Sequence, residues 1–311
     1  IAGQRHDQRR DRFRQTVAVK RGFGDQHLGD AVGVMAGSAF TPSVMTQLAA
    51  WWPIFIVLLV FFLAVSAIGY LFFRRQGFDR PTAFLSASPG GLGEMALLGQ
   101  QFSADVRKLV LVHSVRIVLV VTFVPFMLRQ MLGLGQGAIS GPPGHGAGGP
   151  LDWLALSACV VLGYVLGNRL RSYGGLMLVP MFLSAGLHGS GVTSAEIPYA
   201  IVAAMQVVIG CITGARFAGI RFNEVWRTLL IGLVWTLVLI AMSVALALIL
   251  GKIVDIPAAA LFLALAPGGF AEMSVIAYAA EVEVAFVVTC HAFRTIYIML
   301  VSPILCRRLL R

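Results

Sequence analysis

Apolar residues in this chain fill whole stretches instead of alternating or marking one helical face. Trp51 to Phe73, Val225 to Leu250 and Val284 to Cys306 are the longest of these stretches. A helix needs about 20 apolar residues to cross the roughly 30 Å hydrocarbon core of a bilayer, and these three reach that length. Shorter or interrupted apolar segments run over Leu28 to Phe40, Pro81 to Gln101, Val106 to Met131, Leu151 to Gly167, Gly174 to Gly189, Ile197 to Phe217 and Pro257 to Ala280. The pattern predicts an all-α polytopic membrane protein whose first partner is the lipid bilayer.

Composition sharpens this reading. Charged residues make up 12% of the 311 and hydrophobic ones 58%, against about 25% charged in soluble domains. The net charge of +10 does not point to nucleic acid, because the basic residues sit in short runs between apolar segments and no soluble DNA-binding module is long enough to exist outside them. The exception is residues 1–27, a basic tail with Arg5, Arg9, Arg10, Arg12, Arg14, Lys20 and Arg21, expected to be irregular and solvated. Cys159, Cys211, Cys290 and Cys306 lie singly within or at the ends of apolar segments, which predicts small membrane-buried side chains and no disulfide framework.

An internal repeat organises the rest. Ser88-Pro89-Gly90-Gly91-Leu92-Gly93-Glu94-Met95 recurs as Ala266-Pro267-Gly268-Gly269-Phe270-Ala271-Glu272-Met273, 178 residues later. The same offset carries Phe84 to Phe262, His113 to His291, Arg116 to Arg294 and Pro125 to Pro303. Further upstream, Gly33, Gly37 and Phe40 match Gly210, Gly214 and Phe217 at an offset of 177. The domain plan is therefore the tail (1–27), a first repeat (28–132), a glycine- and proline-rich linker (133–150) and a second repeat (151–311). The first repeat has no equivalents of the two helices that open the second, and the basic tail stands in their place.

Lysine and arginine mark cytoplasmic loops, so their placement bears on orientation. If each Pro-Gly-Gly segment is a re-entrant hairpin, the basic loops around Arg74, Arg107, Arg169, Arg216 and Arg307 fall on one side. The uncharged Thr41 to Trp52 loop, the linker and the Glu281-Val282-Glu283 corner then fall on the other, with Arg129 the exception. This favours two inverted repeats, each with one broken helix entering from its own face.

Proline lacks an N–H and paired glycines favour turns, so Pro89-Gly90-Gly91 and Pro267-Gly268-Gly269 should break their helices. Broken helices of inverted repeats commonly line a transporter's binding site. A simple kink is the alternative. Glu94 and Glu272 follow near the start of the next half-helix, where a carboxylate suits the positive dipole end; they are candidates for capping, for proton or cation coupling, or for solute contact. His113 with Arg116, and His291 with Arg294, are three apart and share a helix face. They read either as buried pairs bonded to backbone carbonyls or to the glutamates, or as the cationic wall of an anion-accepting cavity. No ligand motif supports a metal centre, and no cofactor is expected.

Paired Pro-Gly-Gly-x-x-Glu-Met motifs, each followed by a His-x-x-Arg helix, resemble the AbrB family of bacterial membrane proteins from about Leu28 onwards. The resemblance implies a multi-pass protein of the bacterial cytoplasmic membrane and carries two labels, regulator of gene expression and ammonia monooxygenase. In architecture, Gly90-Gly91-Leu92-Gly93 is also similar to the hairpin vertex of glutamate:sodium symporters and 2-hydroxycarboxylate carriers. Gly268-Gly269-Phe270-Ala271 matches that vertex only in part. The leading expectation is a secondary transporter of a small solute, an anion among the candidates, able to oligomerise. An indirect effect on gene regulation is the second reading. The third, an ammonia-oxidising enzyme, is poorly supplied with metal ligands.

Overall fold

The computed structural model describes residues 30–132, 148–170, 175–195, 197–215 and 222–310. The basic tail, linker residues 133–147, Arg171, Arg216, Phe217, Arg221 and the side chain of Glu94 lie outside the described residues and atoms, as do the surroundings of Gly214.

The described chain is helical. α1 covers residues 30–38, followed by α2 (Pro42–Gln47), α3 (Trp52–Arg75), α4 (Arg80–Ala87), α5 (Leu92–Gln101) and α6 (Val106–Met131). Then come α7 (Pro150–Arg169), α8 (Gly175–Gly189), α9 (Tyr199–Ala215), α10 (Phe222–Leu250), α11 (Ala258–Leu265), α12 (Phe270–Ala279) and α13 (Val284–Leu310). Among the described residues five segments are long and apolar enough to cross a membrane: Pro42–Arg75, Val106–Met131, Pro150–Arg169, Val225–Leu250 and Val284–Arg308. The protein is an all-α polytopic membrane protein.

Local chemistry sets the helix ends. α3 closes where Gly77 takes a positive φ of 86°, which lets Phe78 N–H reach back to the Phe73 carbonyl, while Arg74 donates to the Phe78 carbonyl at 2.7 Å. Asp79 then caps α4 by accepting from Thr82 N–H, and Asp105 caps α6 by accepting from Lys108 N–H. The stretch expected as an uncharged loop, Thr41 to Trp52, is instead a short helix and a 3-10 turn (Leu48–Trp51). Thr41 accepts from Val44 N–H and Pro42 occupies the first turn, where its missing N–H costs nothing.

The element boundaries repeat as the sequence does. Adding 178 to the bounds of α4 gives 258–265, those of α11, and adding 178 to those of α5 gives 270–279, those of α12. The two parts mesh in one core: Trp235 of α10 stacks on Phe72 and meets Phe73 edge-on, both from α3. Gly69 makes room for that indole, since a Cβ there would lie 2.9 Å from Trp235 Cη2 and 2.7 Å from Ala87 Cβ. α6 and α13 are the two central columns. α4 packs against both of them, and so does α11.

Candidate functional site

Each break forms for the reason its sequence states. The residue before a proline is driven out of the helical region, and Ser88 (φ −64°, ψ 131°) and Ala266 (φ −58°, ψ 138°) are both extended. α5 and α12 restart at the second glycine: Gly91 carbonyl accepts from Met95 N–H at 3.0 Å, and Gly269 carbonyl from Met273 N–H at 3.1 Å.

A helix that ends inside the protein strands its last carbonyls away from water, and each must find a donor. At the second break they do. Arg294 donates to the carbonyls of Ala266 at 3.0 Å and of Gly268, His291 Nε2 donates to Leu263 carbonyl at 2.9 Å, and Ser243 Oγ donates to Leu265 carbonyl at 3.0 Å. At the first break Arg116 donates to the carbonyls of Ser88, at 3.3 Å, and of Gly90, while Ser88 Oγ donates to Phe84 carbonyl at 2.9 Å. The arginines and histidines of both repeats are buried. Positive groups at the negative end of a half-helix are favourable, and a guanidinium can serve two carbonyls at once. Arg116, His291 and Arg294 thus bond to backbone carbonyls, one of the arrangements open to His-x-x-Arg.

The motif's methionine has a place that the sequence did not suggest. Met95 and Met273 are fully buried, and a Cβ on Gly90 or on Gly268 would lie 2.6 Å from the Cε of its own repeat's methionine. The first glycine of each pair is thus roofed by the methionine five residues on and held from the other side by the arginine. The signal was available, because the methionine recurs at the same offset as the glutamate.

Glu272 sits in the first turn of α12 and folds back over Gly269, where an added Cβ would lie 2.8 Å from its carboxyl carbon. It also lines a cavity of about 220 Å³ between α6, α9 and α12, with Val121, Pro125, Gln206, Ile209 and Val275 among the walls. Pro125 lies inside α6 and cannot donate to the carbonyl of Val121, one turn back. Sequence reasoning found Pro125 only as a repeat marker and passed over Gln206. Among the described residues no three His, Cys, Asp or Glu side chains gather as a metal site would need. Cys159, Cys290 and Cys306 are buried within the protein, and Cys211 is exposed on the apolar helix α9.

The sequence profile described as "Transition state regulatory protein AbrB" matches residues 16–310. The chain belongs to the AbrB family. Its AbrB relatives include "Putative regulator AbrB" of Escherichia coli (strain K12), 28% identical over 89% of this chain and 80% of that protein. Another is "Uncharacterized protein YhjN" of Bacillus subtilis (strain 168), 24% identical over 88% of this chain and 75% of that one. No solved structure matches.

Proposed function

We propose that this AbrB-family protein is a secondary transporter of a small solute in the bacterial cytoplasmic membrane. The observation that carries the reading is that the half-helices before both breaks, α4 and α11, pack against the same two long helices, α6 and α13. That shared packing supports a common centre for the two interrupted stretches in place of two separate kinks. Backbone broken at membrane depth is tolerated where protein buries it or where it lines a wet cavity, and here buried side chains hold the carbonyl ends while Gly91 and Gly269 stay partly exposed. α4 and α11 have eight residues each and α5 and α12 ten, so at 1.5 Å per residue each piece spans about 12–15 Å, half a hydrocarbon core. That length suits a re-entrant hairpin in each of two inverted repeats. Alternating access follows if the bundle carrying one break moves against the other.

Glu94 and Glu272 are the coupling groups in this reading, exchanging a proton or cation with the solute. Glu94→Gln and Glu272→Gln should abolish ion-coupled uptake into proteoliposomes while leaving membrane insertion intact. Unchanged uptake in both variants would remove the role assigned to them.

The printed name of the Escherichia coli relative favours a second reading, an effect on gene regulation. In this protein it would act through the transported solute. Loss of an expression phenotype in the glutamate variants supports that link, and its retention points to a separate scaffold role.

A further inference from the structure

We propose that the cavity beside Glu272 takes a small organic cation, an amine whose ammonium pairs with the carboxylate while its alkyl body fills the apolar walls. The inference deepens the transporter reading and rests on it for treating this cavity as part of the solute's path. Three observations carry it, and the first is the charge of the lining. Among the described residues that line the cavity, Glu272 is the one ionisable side chain and Gln206 the one amide. The remaining described walls are apolar: Val121, Pro125, Leu128, Ile209, Val275 and Ile276, with two alanines.

The second observation is where the cations went. An anion-accepting cavity needs guanidinium or imidazolium groups facing it. Arg116 donates to Ser88 and Gly90, Arg294 to Ala266 and Gly268, and His291 to Leu263, and none of these side chains lines the cavity. Three of the groups that made an anion attractive, Arg116, His291 and Arg294, are spent on the backbone of the breaks. The carboxylate has the opposite standing: among the described residues Glu272 makes no ion pair.

The third observation is size. About 220 Å³ is ample for a short alkylamine, since a cavity of about 150 Å³ already holds a benzene. The Gln206 amide oxygen is a neutral acceptor in the same walls, suited to another of the ammonium's hydrogens. An apolar box with one carboxylate and a neutral acceptor selects for positive charge and against its absence, because a neutral or anionic guest leaves the carboxylate uncompensated.

The test uses three probes of equal length and different charge, n-butylammonium, n-butanol and butyrate, titrated calorimetrically into the detergent-purified full chain. The expected result is that butylammonium binds about tenfold or more tightly than either of the others, and that Glu272→Gln loses that preference. Equal binding of butanol would show an apolar groove that takes any chain, lipid included, and would overturn the proposal. So would preferential binding of butyrate, no binding of butylammonium, or an undiminished preference in Glu272→Gln. If the variant does not fold, the three-probe comparison on the native chain decides alone. Uptake of the same probes into proteoliposomes separates the two claims. Butylammonium bound but not carried leaves the site standing and sinks the transporter, whereas butyrate carried and butylammonium ignored does the reverse.

Discussion

Arg116 and Arg294 hold equivalent carbonyls, Ser88 with Gly90 and Ala266 with Gly268, whereas the repeated glycines of α1 and α9 meet different surroundings. On α1 a Cβ at Gly33 would lie 2.9 Å from Pro180 Cγ, and one at Gly37 would lie 2.6 Å from Ser184 Cβ, so α1 and α8 touch backbone to backbone. Ser184 Oγ seals that contact by donating to Val34 carbonyl at 2.8 Å. On α9 a Cβ at Gly210 would meet nothing within 4 Å among the described residues. Asp30 on α1 is fully buried, while Val207, its counterpart on α9, is 66% exposed. A repeat in sequence therefore reproduces what a segment does to itself, such as the break and its clamp. It does not reproduce the neighbour that a helix face finds.

The largest effect should come from the shared clamp. Arg294→Met leaves the Ala266 and Gly268 carbonyls buried without their donor, at a cost of about 1–3 kcal/mol for each, read as a lower melting temperature of the purified protein. Arg116→Met should behave alike, and Arg294→Lys should recover only part, because an ammonium lacks the planar fork. A full rescue by lysine would mean that charge alone holds the break.

Next comes the region where the copies differ. Gly33→Ala should cost about 1–3 kcal/mol by driving α1 off α8, whereas Gly210→Ala, at its counterpart, should be neutral or gain up to about 1 kcal/mol from better helix propensity. Equal losses at the two positions, measured by the same melts, would show that α9 carries a tight contact as well.

The smallest effect should come from Ser243, which supports the Leu265 carbonyl at the second break. Ser243→Ala should cost about 1 kcal/mol. A loss from Ser243→Ala as large as that from Arg294→Met would make the serine a main support of the second break.

Much of this was legible in the residues. Apolar runs gave the class, since no soluble core could hide Trp51 to Phe73 and Val284 to Cys306 together. Pro89 and Pro267 gave the breaks, because ring geometry acts on the residue beside it whatever the fold. The direction of the arginines was not legible: His-x-x-Arg spacing puts both side chains on one face but does not say whether that face meets a solute or a row of stranded carbonyls. Nor was the cavity, which needs α6, α9 and α12 together and whose walls Gln206 and Val275 carry no motif. The helix at Pro42–Gln47 was missed because a six-residue segment has too few positions to show a period.

The central claim is that the two breaks are opposed hairpins on one solute path, and sidedness tests it most directly. Gly91 and Gly269, both partly exposed at their breaks, can each be replaced by a single cysteine in a background lacking the four native ones, then probed with impermeant thiol reagents from either side. The account predicts that Gly91→Cys labels from the cytoplasm, that Gly269→Cys labels from outside, and that a transported solute slows both. Protection of both positions from both sides, or labelling of both from the same side, would contradict it.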